Sequence, residues 1–377
     1  MTNWICFYEQ NNYDDAESLY NNLNKASKAF GLKIAEPEWI EMKNNSPAKS
    51  WIATADDYFG KNKNDYDFAV FLLGRNDKIY ADLKRHSLCK NGYVSQVVKA
   101  KSIQKKGVMS ICSKILLQIN AKLGGISYKT LQYKTVNDRK IMVVGVDSSH
   151  IKGQGTGVAM VATINDTFTN FYNKEEIIKE ENNKEQLQYC VSSFIEQAIE
   201  VYKKENKVAP KNIIIYRQGV SLQQKEYLKN EIAEIDFSLK TKNILYYYVL
   251  VNTKTTFKFF EKTKTNNKFA NPGPGLLVID GVTNRNFFEF YIQPQEVTQG
   301  SATPTCFHVA YGDMNFPEFI AKFTYDLCHI YSNWQGTVRV PNVIKAAEKL
   351  SKMTAKYTRS KLNENWQKDK LTSKKGN

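Results

Sequence analysis

No two of the six cysteines, at positions 6, 89, 112, 190, 306 and 328, stand close enough to form a C-x-x-C pair. That scatter argues against a zinc site and for a reducing compartment, cytosol or nucleus. Histidine is scarcer still. The four, at 86, 150, 308 and 329, share no metal-ligand spacing and read as core or surface histidines. No apolar run approaches the roughly 20 residues needed to cross a bilayer, so no membrane association is expected. The opening MTNWICFYEQNN has neither a basic leader nor a signal-peptide core, so no targeting segment is expected. No internal repeat is present.

What the chain does have is enough apolar material for a large core. It is 377 residues long, 42% hydrophobic and 12% aromatic, which fits a globular protein of two domains. Lys plus Arg (53) outnumber Asp plus Glu (38), for a formal net charge of +15. Such a surplus concentrates polyanions at the surface and favours nucleic acid as a partner. A generic basic surface explains it equally well.

Periodicity divides the chain in two. Strand-like NWICFYE (3–9) precedes a helical pattern over 14–31, with Ala16, Leu19, Leu23, Ala26 and Phe30 on one face. DYDFAVFLLG (65–74) and VSQVV (94–98) read as strands, and KIYADLKRH (78–86) and 108–125 as helices. This is an α/β domain. The pattern then restarts. IMVVGVD (141–147) and GVAMVATIN (157–165) predict a hairpin, and 184–204 a long helix with Leu187, Val191, Phe194, Ile195, Ala198 and Ile199 as its buried stripe. Strand NIIIYR (212–217), a helix over 221–232, strand ILYYYVLVN (244–252), a hairpin from 275–282 and 287–294, and helices over 316–334 and 342–357 complete it. The tail 358–377 is basic and unpatterned, as a flexible end would be.

Two groups of polar residues stand out. In the second half, Asp147 ends one central strand, Gln218 ends another, and Glu185 falls in the first turn of the helix between them. Nucleases that use two Mg²⁺ ions need several carboxylates converging from such positions, because hard oxygen ligands hold the ions about 3.5–4 Å apart. Turn geometry and the helix dipole account for the same two acids without any chemistry. In the first half, Tyr80 and Lys84 are four apart on one helical face, as are Gln118 and Lys122, and Gln96 lies between the two helices. Two Lys, an amide and an aromatic hydroxyl could grip a terminal phosphate. Exposed polar helix faces produce the same spacings by chance, and more often.

Several motifs occur together and in order: YADLKR, GYVSQVV, QINAKLGG, VVGVDSSH, NIIIYRQGVS, NPGPGLLVID, QGSATPTCFHVAYGD and FTYDLCHIYSNWQGTVRVP. This series resembles the MID and PIWI domains of Argonaute proteins, and the Piwi clade in particular, over residues 1 to about 355. The resemblance implies a Rossmann-like MID domain over 1–132, an RNase H-like PIWI domain over 133–357, and a basic tail. It implies further that Tyr80, Lys84, Gln96, Gln118 and Lys122 bind the 5′-phosphate of a small guide RNA, and that GRNDK (74–78) lies where relatives sense the first base. Piwi relatives add a divalent ion, Mg²⁺, at that pocket with help from the chain's own C-terminal carboxylate, and a basic tail replaces the family's apolar C-terminus here.

Slicing relatives use an Asp-Glu-Asp set closed by His or Asp. By motif, Asp147 matches the first member and metal ligand, Glu185 the mobile Glu, Gln218 the second Asp and Glu348 the last. A carboxamide in place of a metal-bridging carboxylate removes a full charge and turns an NH₂ toward the ions. The resemblance therefore implies a guide-RNA-binding module for RNA silencing, paired with a complementary RNA target and deficient in slicing. The alternatives are a working Mg²⁺-dependent endoribonuclease using Asp147, Glu185 and Glu348, and a scaffold that binds protein partners through PIWI-domain pockets.

Overall fold

The computed structural model describes residues 1–61, 66–74, 77–89, 92–129, 140–152, 155–178, 183–263, 268–284, 287–312 and 317–357. The chain forms two compact units, Met1–Ser127 and Tyr128–Lys356. The expected boundary at 132/133, the tail 358–377, and Arg75 and Asn76 of the first-base loop lie outside the described residues.

The first unit runs β1 (Trp4–Glu9), α1 (Tyr13–Ala29), β2 (Glu38–Met42), α2 (Ala48–Lys61), β3 (Phe68–Leu73), α3 (Asp77–Cys89), β4 (Ser95–Lys99), α4 (Ala100–Ile103) and α5 (Val108–Lys122). Its sheet has the order β2-β1-β3-β4, with every pair parallel. Strands β1 (WICFYE) and β3 (FAVFLL) are buried at every position, as in a parallel sheet covered on both faces. Ala16, Leu19 and Leu23 of α1 and Leu116 and Ile119 of α5 fill one face. Trp51 and Ala55 of α2 and Leu83 of α3 fill the other. Phe30, expected on the buried stripe of α1, lies past the helix end and is exposed. β2 escapes the sequence reading because EWIEM does not alternate apolar with polar residues and only Met42 in it is buried.

The second unit runs β5 (Ile141–Ile151), β6 (Gly155–Thr163), β7 (Phe171–Ile178), α6 (Asn183–Asn206), β8 (Asn212–Gln218), α7 (Lys225–Lys240), β9 (Leu245–Asn252), β10 (Glu261–Lys262), β11 (Phe269–Ala270), β12 (Leu276–Val278), β13 (Glu289–Gln293), β14 (Thr305–Tyr311), α8 (Pro317–Leu327) and α9 (Asn342–Tyr357). Eight strands form one sheet, β12-β13-β14-β9-β8-β5-β6-β7. β5, β8 and β9 run parallel at its centre, while β5-β6-β7 and β9-β14-β13-β12 are antiparallel. The expected hairpins β5–β6 and β12–β13 both form.

The predicted stripe of α6 is buried throughout, with Val191, Phe194, Ile195 and Ile199 in one cluster against β5, β6 and β8. Each such side chain contributes about 1.5–3 kcal/mol. α7 starts at Lys225 rather than 221, because the Ser221 N–H donates to Gln224 Oε1 and closes a turn first. α8 ends at Leu327 rather than near 334, where Cys328 N–H bonds back to Tyr325 O and Val338 N–H to Cys328 O.

Two glycines set how closely α9 approaches the sheet. A Cβ at Gly145 would lie 2.5 Å from the Val343 carbonyl carbon, and one at Gly157 would lie 2.6 Å from the Ser351 carbonyl oxygen. Only Gly lets the helix lie directly on β5 and β6. That contact carries Ser351 to Asp147, within β5.

Candidate functional site

In the first unit, α3, β4 and α5 bring four of the five expected residues to one spot. Ser95, the first residue of β4, is the hub. Lys84 of α3 donates from Nζ to its carbonyl and its hydroxyl, both at 2.9 Å, and Lys122 of α5 donates to the same carbonyl at 2.8 Å. Lys122 also donates to Gln96 Oε1 at 2.6 Å, and Gln96 Nε2 donates to Gln118 Oε1 at 3.3 Å. Lys84 and Gln96 are buried, and Gln118 and Lys122 half-buried. Tyr80, one helical turn before Lys84, is half-buried against the core beneath α3.

Two ammonium groups bonded to one oxygen stand within about 6 Å of each other, where like charges repel strongly in a partly dry site. An anion held between them relieves that repulsion, and an anion with two charges relieves it most. The cluster lies at the start of β4 rather than at the carboxyl ends of the strands, the usual place for a ligand in such folds.

In the second unit, a cavity of about 760 Å³ opens at the ends of β8 and β9 beside Asp147, Ser148 and Ser149; β5 runs on to Ile151, paired with β6, so Asp147 lies within its strand rather than ending it as expected. Asp147, Gln218 and Glu348 all line it, so three of the four expected residues converge. Glu185 sits in the first turn of α6, exposed to solvent, and is not among the lining residues.

The state of each group bears on metal binding. Asp147 is 4% exposed, and Ser351 Oγ donates to its Oδ2 at 2.5 Å. Burial pushes its carboxyl above the usual range, against the pull of Ser351 and Arg217, while the charge on Glu348 adds to the rise. Gln218 Oε1 is buried without a hydrogen-bond partner. For Glu348, burial works upward, but Lys352 and Lys345 outweigh it and hold the carboxyl below its usual range. Lys352 Nζ lies 2.5 Å from Oε1 and Lys345 Nζ 2.9 Å from Oε2, so each carboxylate oxygen faces an ammonium.

This donor set does not fit two Mg²⁺ ions. Gln218 supplies a neutral oxygen, Glu348 is already neutralised, and Lys352 places a positive charge at the cavity wall. Among the described residues, no group of three or more His, Cys, Asp or Glu could hold a metal ion. The same holds at Ser95, where Lys84, Lys122, Gln96 and Gln118 gather.

Sequence reasoning missed two residues near this cavity. Arg217 is fully buried, bonds Glu231 through Nε at 3.0 Å, and donates from a terminal nitrogen to the Gln218 carbonyl at 2.5 Å. It anchors the end of β8 and sets the position of Gln218. Its signal was present in YRQG, as a charge closing an apolar strand. The other is Glu175 on β7. Ala159 pairs with Asp147 on one side and with Glu175 on the other, so both acids share a sheet face two strands apart. Glu175 Oε2 has no hydrogen-bond partner, and burial pushes its carboxyl up to about 7, against Asn173 and Lys174.

Among the described residues, no helix is long and apolar enough to cross a membrane. A family model for the Piwi domain matches residues 67–359. Protein argonaute-3 of Drosophila melanogaster is 30% identical over 361 residues, 93% of this chain and 40% of that protein. Piwi-like protein 1 of Danio rerio is likewise 30% identical, over 93% of this chain and 40% of its own length. The chain thus spans about 40% of the length of the curated relatives it matches. Among solved structures, Drosophila Piwi superposes with a TM-score of 0.80 at 24% identity, over 97% of this chain and 49% of that one. Kluyveromyces polysporus Argonaute with a guide RNA also gives 0.80, at 18% identity, over 94% of this chain and 47% of that one. The fold is accordingly the α/β fold with an RNase H-like PIWI sheet found in those structures, and the chain belongs to the Piwi-domain family.

Proposed function

We propose that the chain is a module for RNA silencing that holds a small guide RNA by its 5′-phosphate and presents it to a complementary RNA target without cutting that target. The convergence of Lys84, Lys122, Gln96 and Gln118 on Ser95 carries the first part. The guide's terminal phosphate brings up to two negative charges and three acceptor oxygens to two ammoniums and two amides. A net charge of +15 supports the backbone contacts that every such strand needs.

The absence of cutting rests on the second cavity. A two-ion cut needs negative ligands around the scissile phosphate. Here Gln218 has lost its charge, Lys345 and Lys352 compensate Glu348, and Glu185 stands away from the cavity. The protein then acts through base-paired targeting rather than hydrolysis. The test measures binding of one RNA sequence with a 5′-phosphate and with a 5′-hydroxyl, then incubates the loaded protein with complementary target in Mg²⁺. Tighter binding of the phosphorylated strand and an intact target are expected. Equal affinity for the two ends would refute the guide-binding reading. A Mg²⁺-dependent product lost in Asp147→Ala would refute the non-cutting one.

A further inference from the structure

The cavity at the strand ends has a second wall, built from β13 and β14. Glu289 pairs with His308 and Tyr291 with Cys306, so four polar side chains stand as two adjacent cross-strand pairs on one face. All four line the cavity. They form a directed network. Tyr291 Oη donates to Glu289 Oε1 at 2.9 Å, His308 Nδ1 lies 3.4 Å from Glu289 Oε2, and the Cys306 thiol is bonded to Glu289 and Tyr291. Glu289 is an acceptor held in place by three neighbours.

That arrangement fixes the state of His308. A carboxylate only accepts, so Nδ1 carries the proton and Nε2 presents a lone pair. Burial lowers the histidine's proton affinity, against Glu289, which keeps the ring neutral. The residue is 3% exposed, and Nε2 has no hydrogen-bond partner. A buried acceptor left unpaired is costly, so the site is shaped for a donor. A metal ion would need further ligands, yet Glu289 is engaged, and no three-ligand group exists among the described residues.

We propose that His308 Nε2 accepts a hydrogen bond from a ribose 2′-hydroxyl of the target strand, making this wall of the cavity a reader of RNA against DNA. The inference rests on the guide-and-target reading above. Along a paired strand, phosphate and ring oxygens only accept, and base amines are committed to pairing. The 2′-hydroxyl is the donor that remains, and it is the group DNA lacks. Lys254 and Lys352 on the same cavity supply cations for adjoining phosphates. His308 lies opposite Leu250, Leu250 opposite Arg217 and Arg217 opposite Val146. That places His308 about 14 Å from the Asp147 end of the sheet at roughly 4.8 Å per strand. The reading position is therefore a few nucleotides away from the strand-end acids.

The test uses the full 377-residue chain loaded with a 5′-phosphorylated guide. Complementary RNA targets carry one 2′-deoxy sugar, moved position by position, and a second series carries 2′-fluoro, which preserves the RNA sugar pucker but cannot donate. The wild-type protein should bind about two- to tenfold more weakly when the critical position is altered in either series. His308→Phe should give a flat scan. His308→Asn, whose side-chain oxygen still accepts, should restore part of the dip, and Glu289→Leu should lose the preference by freeing the imidazole. Guide affinity in each variant reports that the fold is intact. A flat wild-type scan, or an undiminished dip in His308→Phe, overturns the inference while leaving guide binding standing. Failure to load any guide overturns both.

Discussion

Lys122→Ala separates recognition of a terminal phosphate from general attraction for RNA. Lys122 is half-buried and donates to the Ser95 carbonyl and to Gln96 Oε1. Ser95 keeps Lys84 as a donor to its carbonyl, so truncation leaves that oxygen bonded and the fold should hold. What is lost is a charge-assisted hydrogen bond to the phosphate, about 1.5–3 kcal/mol. That corresponds to roughly a ten- to hundredfold weaker grip on 5′-phosphorylated RNA. A 5′-hydroxyl RNA has no terminal phosphate to lose, so its affinity should change by less than about threefold. Fluorescence anisotropy of the same short RNA with each end, for wild type and variant, closes a double-mutant cycle. The coupling between Lys122 and the phosphate should be about 2 kcal/mol. A diffuse basic surface makes a different prediction, in which both RNAs weaken equally and the coupling vanishes. That result would refute the pocket.

Gln218→Asp restores a carboxylate but not the ion site, because Lys345 and Lys352 still hold both oxygens of Glu348. The single variant should leave a complementary target uncut in Mg²⁺, and only its combination with Lys352→Ala should show metal binding by calorimetry. Cleavage by the single variant would show that the lysines give way. Asp147→Asn removes a charge that burial disfavours while keeping an acceptor for Ser351. Because the folded carboxyl is raised, its cost is present at neutral pH and vanishes as pH falls below the ordinary value near 3.8. The variant should therefore melt higher than wild type at pH 7.5 and equally near pH 3.5. Glu175→Gln follows the same sign with a higher window. Its carboxyl rises from 4.5 to about 7, so the stabilisation should reach about 2–3 kcal/mol above pH 8 and fade between pH 7 and 4.5, read by urea unfolding.

Much of the fold was legible because burial leaves a periodic trace. The stripe from Leu187 to Ile199, the apolar runs at β1, β3, β5 and β8, and the limits of α9 all read directly from spacing. β7 (FYNKEEII) was illegible because it is an edge strand, half-covered along most of its length, whose charges mask alternation. β14 was missed although CFHVAY is largely buried, because the buried polar residues Thr305 and His308 interrupt its apolar run. Of the pocket in the first unit, spacing gave two helical pairs. Nothing local said that both lysines would meet at Ser95.

The sequence by itself determined most of the helices and the buried central strands, and it determined the chemical inventory: cations and amides in the first half, acids and one odd amide in the second. A side chain's identity and the periodicity of its neighbours are local properties, written in the order of residues. Tertiary structure alone decided who faces whom. Gly145 and Gly157 let α9 settle on the sheet and bring Ser351 to Asp147, while the register of β13 and β14 sets Glu289 beside His308. Charge, proton affinity and metal fitness depend on distances between groups up to two hundred residues apart, and only a packed chain fixes those.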